Sequence, residues 1–142
     1  MCFRLVILIL SIFITGWGRS NTTNQKMTNI LQQIRLSVIN QSKCSAWNSH
    51  LLPVTSQMFC AGVTQPKLKP HSACHGDSGG PLICKDADGS WTLNGLISWG
   101  SSICDTSDGY TVFTRVSKYV QWIVTKQLNQ SSTTKNKVVI TS

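Results

Sequence analysis

Glutamate is missing from the 142-residue chain, and five aspartates stand against thirteen lysines and arginines, a net charge of +8. Chemistry that needs paired carboxylates as acid and base therefore has few groups to draw on. The cations are scattered, with no run of three and no aromatic or backbone-reading element beside them. That lacks the clustered footprint of a nucleic-acid binder, and the basic balance reads as solubility or mild attraction to acidic partners. No C-x-x-C occurs among the six cysteines at 2, 44, 60, 74, 84 and 104. This disfavours a structural zinc site and favours disulfides closing long loops in an oxidising compartment. His71, Cys74 and His75 lie close together but bring no fourth ligand, so no metal is expected, and no cofactor motif is seen. The longest apolar run, Leu5 to Ile14 broken only by Ser11, spans ten residues, short of the roughly 20 needed to cross a bilayer.

A chain of this length holds one domain, whose core buries roughly two thirds of the unfolded surface. With 41% apolar and 13% charged residues, it has the composition of neither a disordered chain nor a coiled coil. Ten glycines, four prolines and many Ser, Thr and Asn punctuate short segments, which points to an all-β fold. Ile14 to Gly18 reads as the end of a strand. Ile30 to Ile39 sets Leu31, Ile34, Leu36, Val38 and Ile39 in near-alternation with polar residues, the period of a half-buried strand. Further strand-like runs cover Met58 to Ala61, Pro81 to Lys85, Trp91 to Trp99 and Tyr110 to Val116, with turn residues between them, the spacing of a closed barrel or sandwich. Gln41 to Asn48 reads as a short helix carrying Cys44. A terminal helix is expected to start at an N-cap on Ser117 and run to about Leu128, with Val120, Ile123, Val124 and Leu128 on its apolar face. The expected domain is 14–128, preceded by an apolar segment over 1–13 and followed by a tail over 129–142 without fixed structure.

Met1 to Arg4 and the apolar run after it have two readings, the n- and h-regions of a signal peptide or a buried strand. The one small-x-small site, Gly16-Trp17-Gly18, falls inside the expected fold. Asn-x-Ser/Thr sequons at Asn21, Asn40 and Asn129 agree with a secretory route, so a secreted, extracellular glycoprotein is expected.

The segment that carries chemistry is Cys74-His75-Gly76-Asp77-Ser78-Gly79-Gly80-Pro81. A serine hydroxyl is a poor nucleophile without a neighbouring base and without donors for the oxyanion it creates. Glycines let the backbone turn tightly and aim amides, here those of Gly76 and Ser78, while Gly79, Gly80 and Pro81 return the chain to a strand.

This segment resembles the nucleophile block of the chymotrypsin family of secreted serine endopeptidases. Ile14-Thr15-Gly16-Trp17-Gly18, Cys60-Ala61-Gly62, Ser98-Trp99-Gly100 and Val112-Phe113-Thr114-Arg115-Val116 fall in the family's order around it, and the likeness runs from about Ile14 to Leu128. The resemblance implies the second six-stranded antiparallel barrel of such a protease, with its C-terminal helix. It implies Ser78 as nucleophile, Gly76 and Ser78 as oxyanion-hole donors, and Asp77 as the buried carboxylate that pairs with a freed N-terminal amine. By the same likeness Ser98, Trp99 and Gly100 form the segment that pairs with the substrate backbone. Ser72 falls at the base of the specificity pocket; a serine there argues against Lys or Arg and for an apolar substrate side chain. Gly100 leaves the pocket wall open and Thr111 narrows it toward smaller, elastase-like side chains. Disulfides Cys44–Cys60 and Cys74–Cys104 follow from the same comparison, the first closing a loop worth roughly 3 kcal/mol.

The chain also departs from the family pattern. It contains neither an A-A-H-C nor a D-I-A-L block, which carry the catalytic His and Asp in the family's first barrel. His50, His71 and His75 fall in loops, and none is expected to act as the base. Asp77 is expected to lack its cationic partner, and an unpaired buried carboxylate is costly. Ile12 stands where Cys84 would find its usual partner, with Cys2 as a substitute. The expected function is that of a serine endopeptidase shortened to an inactive half, whose partners are peptide or protein substrates, inhibitors, or a complementary first barrel. A secreted non-catalytic binding or decoy module, and a partial gene product without a function of its own, are the alternatives.

Overall fold

A computed structural model of the chain describes residues 12–20, 26–64, 72–105 and 109–135. Six strands, β1 (Ile12–Gly16), β2 (Gln32–Ile39), β3 (Met58–Gly62), β4 (Pro81–Lys85), β5 (Trp91–Trp99) and β6 (Thr111–Arg115), close into one barrel in the order β1-β2-β3-β6-β5-β4. Every neighbouring pair is antiparallel, and β4 returns to β1 with Ile12 opposite Cys84 and Ile14 opposite Leu82. Helix α1 (Gln41–Trp47) links β2 toward β3, and helix α2 (Val120–Lys135) ends the described chain. Among the described residues no helix is long and apolar enough to cross a membrane.

Alternation along the strands builds two cores. Ile12, Ile14, Leu36, Phe59, Ala61, Leu82, Ile97 and Phe113 point inward and fill the barrel, with the Phe59 and Phe113 rings stacked at 5.4 Å. Their strand neighbours Cys60 and Val112 point outward and bury a second cluster with Ile39, Cys44 and Tyr110 beneath α1. This explains why β3 is buried along almost its whole length, where a half-exposed strand would alternate.

The Cys44–Cys60 disulfide pins α1 to β3, and Cys74–Cys104 joins the loop before β4 to the loop after β5. Fully buried Asn48, just past α1, donates to the Tyr110 carbonyl (2.8 Å) and accepts from the Tyr110 N–H (3.1 Å). It pairs both backbone groups of a residue leading into β6. Cys84 is buried inside the barrel opposite Ile12, the residue that the family resemblance set in its usual partner's place, while Cys2 lies outside the described residues.

Three expectations need correction. The first strand begins at Ile12, so Ile12 and Phe13 belong to the barrel and not to a preceding segment; 1–11 lie outside the described residues. Ser117 is no helix cap: it sits in a 3-10 turn over Val116–Lys118, because Tyr119 donates back to the Val116 carbonyl before α2 starts. Nor does α2 stop at Leu128; it continues to Lys135 through residues that favour neither state strongly. Its expected apolar face is largely uncovered, with Val120, Val124 and Leu128 all exposed.

Candidate active site

Four backbone hydrogen bonds form the turn that carries Ser78. Asp77 N–H donates to the Cys74 carbonyl (3.0 Å) and Gly80 N–H to the Asp77 carbonyl (2.9 Å), closing two successive tight turns. Gly79 N–H and the Ile97 N–H exchange bonds with Ile97 O and Gly80 O (2.8 and 2.9 Å), stitching the turn to β5. Gly76 and Gly79 take φ of 97° and 81°, a region that disfavours any side chain. The result lifts Ser78 and Gly76 to the exposed surface at the mouth of the turn while Asp77 points inward.

The Asp77 carboxylate accepts from the Gly18 N–H at 2.8 Å through Oδ1 and from the Cys74 N–H at 3.0 Å through Oδ2. Among the described residues it makes no ion pair; two backbone amides, and not a cation, meet its charge. The approach is close enough that a methyl on Gly16 would fall 2.0 Å from Oδ1 and one on Gly18 2.5 Å from it. The glycines of the Ile14-Thr15-Gly16-Trp17-Gly18 block are thus spacing for this carboxylate. The carboxylate in turn fixes the peptide that precedes Ser78.

A trans peptide points its carbonyl and its N–H in opposite directions, so an acceptor held on one side aims the donor on the other. The His75 carbonyl is held by the Arg19 N–H (3.0 Å), which turns the Gly76 N–H the opposite way. The Asp77 carbonyl is held by Gly80, which does the same for the Ser78 N–H. Among the described residues neither amide finds an acceptor within the chain, although the Asp77 and Gly79 amides do. Two donors next to one exposed hydroxyl can receive a developing oxyanion.

Beside the turn lies a cavity of about 250 Å³ lined by Ser78 together with Ser98, Trp99, Gly100, Thr111 and His75, among others. Four of the five residues expected from the resemblance to contact substrate therefore line one cavity with Ser78. The fifth, Ser72, does not line it. Ser72 is buried, its hydroxyl donating to the Ala73 carbonyl (3.1 Å), and it faces a second cavity of about 240 Å³ shared with Asp77, Gly18 and Arg19. Buried Thr111 stands in the wall, and its Oγ1 accepts from the Ala73 N–H (3.2 Å), tying the segment before the turn to β6. Cys74, weighed as a metal ligand beside His75, is spent in its disulfide; His71 lies outside the described residues.

His75 is exposed on the cavity rim and His50 sits in the turn after α1. Met27 drew no attention in the sequence. A bridge pairs Met27 with Arg19, and the Met27 Sδ and Cε lie where a methyl on Gly76 would come within 2.6 Å. No periodicity or motif marks it; only its bridge to Arg19 does.

A closed six-stranded antiparallel barrel carries an exposed serine on a glycine turn. The trypsin family model matches residues 10–123, and the chain belongs to that family. Mouse chymotrypsin-C is 43% identical over 115 residues, which is 80% of this chain and 41% of that protein. Mouse transmembrane protease serine 7 is 42% identical over 112 residues, 78% of this chain and 13% of that protein. The solved structure of neuropsin, a serine protease expressed in the limbic system of mouse brain, superposes with a TM-score of 0.69 at 31% identity, covering 87% of this chain and 51% of that one. The chain spans about half or less of the length of these relatives.

Proposed function

We propose that this chain is the nucleophile-bearing second barrel of a chymotrypsin-like serine endopeptidase and that the 142 residues by themselves do not hydrolyse peptide bonds. The observation that carries the reading is that exposed Ser78 shares one cavity with Ser98, Trp99 and Gly100, while its own amide and that of Gly76 two residues earlier are unclaimed among the described residues. In this role Ser78 Oγ adds to the scissile carbonyl, the two amides hold the oxyanion, and the 98–100 segment aligns the peptide. The hydroxyl proton must pass to an imidazole within hydrogen-bond distance. His75, three residues before Ser78 in the same turn, flanks the substrate, and the base is assigned to a partner barrel.

Thr111 in the cavity wall supports a small apolar substrate side chain, and no Asp or Glu is among the described residues that line it. Disulfide use and the sequons support passage through the secretory pathway to an extracellular site. The apolar groove formed by Leu96, Thr114, Val116, Tyr119, Trp122 and Ile123, about 530 Å³, supports a complementary first barrel or another protein as a covering partner. The same groove keeps the second reading in play, a non-catalytic module that holds a protease or inhibitor. A fluorophosphonate probe tests the main proposal: the purified chain is expected to label at Ser78 at a negligible rate, and rapid stoichiometric labelling overturns it. Capture of a serpin by the bare chain, with no labelling, selects the binding module.

A further inference from the structure

Three sequons occur in the chain, and they differ in what their folded setting leaves accessible. Asn21 lies outside the described residues. Asn129 stands inside α2, where positions two apart lie on different faces of the helix, so Asn129 and residue 131 are not neighbours. Asn40, at the start of α1, is different. Its Oδ1 accepts both the Ser42 N–H (2.9 Å) and the Ser42 hydroxyl (2.6 Å). A backbone N–H can only donate, so the atom facing Ser42 is the oxygen and the amide nitrogen Nδ2 is the one turned away. Among the described residues Nδ2 donates to nothing, and Asn40, Gln41, Ser42 and Lys43 are all exposed.

We infer that Asn40 carries an N-linked oligosaccharide. The inference rests on the secretory route proposed above. The reaction joins Nδ2 to the anomeric carbon of an oligosaccharide held on a lipid pyrophosphate. The N–C bond forms, the C–O bond to the pyrophosphate breaks with its electron pair leaving on the lipid pyrophosphate, and one Nδ2 proton is released. The product keeps Oδ1, and with it both bonds to Ser42. The helix cap and the sugar therefore use opposite atoms of one side chain. Transfer to Asn40 is compatible with the final fold, since the substituent projects from an exposed corner into solvent and displaces no packed group.

The full chain is expressed in secreting eukaryotic cells in two forms, as it stands and behind a cleavable secretory leader, and material from the secretory compartment and the medium is digested with trypsin. Cleavage after Arg35 and Lys43 releases Leu36–Lys43, whose one asparagine is Asn40. The expected result is an endoglycosidase-sensitive mass increment on that peptide. It is lost in Asn40→Asp, which keeps an oxygen for the cap, and in Ser42→Ala, and retained in Ser42→Thr. Modification only with the added leader supports the Asn40 site and removes the chain's own secretory reading. An unmodified Leu36–Lys43 peptide from leader-directed, disulfide-bonded chain inside the compartment overturns the inference.

Discussion

The two helices invert what their sequences promise. Helix α1 has seven residues, no acid in its first turn and no base in its last, and a pattern too short to argue from. Yet it is held at both ends and in the middle: by the Asn40 cap, by Cys44 bonded to Cys60, and by Asn48 locked onto Tyr110. Helix α2 has sixteen residues and apolar positions at convincing offsets, yet Trp122 is 61% exposed and Leu128 65%. Periodicity reports which residues share a face, whereas stability depends on what that face meets.

The largest effects should follow from cutting the anchors of α1. Replacing Cys44 and Cys60 together with serine removes the loop constraint and is expected to cost roughly 3 kcal/mol, read as a fall in the urea midpoint with a slope that rises as the unfolded chain expands. Asn48→Ala leaves both backbone groups of Tyr110 buried without partners, a loss of about 3 kcal/mol. If either variant unfolds at the parent's midpoint, α1 is not fastened in the way described.

Intermediate effects belong to the turn under Ser78. Gly18→Ala forces a methyl against the Asp77 carboxylate, and an overpacked contact of this kind costs about 1–3 kcal/mol. The local reading is sharper than the global one: hydrogen exchange at the Gly79 amide, bonded to Ile97, should quicken more than exchange at Phe113 in the barrel wall. Equal acceleration at both would show that Asp77 supports the whole barrel and not the turn in particular.

Much of this was readable beforehand, for definite reasons. Pro81–Lys85 and Trp91–Trp99 begin and end where expected because turn residues bound them on both sides. The Ser78 turn and both disulfides came from a resemblance and not from spacing, since six cysteines permit fifteen full pairings. Ser72, which the resemblance aligns with a pocket base, donates its hydroxyl to the Ala73 carbonyl and lines the cavity on the Asp77 side, a local tie that no pattern announces. Val38 and Ile39 both stand among the apolar positions of this strand, and only Ile39 is buried. Alternation from Ile34 and Leu36 selects Val38, and only the arrival of α1 on the outer face of β2 and β3 favours Ile39.

Removing apolar surface from α2 should do little to the folded chain. Trp122→Gln with Leu128→Gln is expected to change stability by less than about 0.5 kcal/mol, because side chains that far exposed lose little burial. The same pair should reduce self-association in sedimentation velocity. A large loss of stability would mean that α2 is packed in solution, and would erase the contrast with α1.

The smallest effect compares two copies of one local device. Asp88, in the turn between β4 and β5, accepts the Ser90 N–H (2.9 Å) and the Ser90 hydroxyl (2.7 Å) through Oδ1, as Asn40 accepts the same two groups of Ser42. The Ser90 backbone bond, and then its hydroxyl bond, hold the Asp88 carboxyl below its ordinary 3.8. A depressed carboxyl favours the folded turn at pH values above its unfolded value, and that preference fades as the pH falls through the folded one. Asn40 has nothing to titrate. On acidification the Ser90 amide resonance should therefore move with a midpoint below 3.8 while that of Ser42 stays still, and Ser90→Ala should raise the Asp88 midpoint toward the ordinary value. Parallel movement of both amides would mean that the acid response reports the barrel loosening as a whole, with neither cap acting locally.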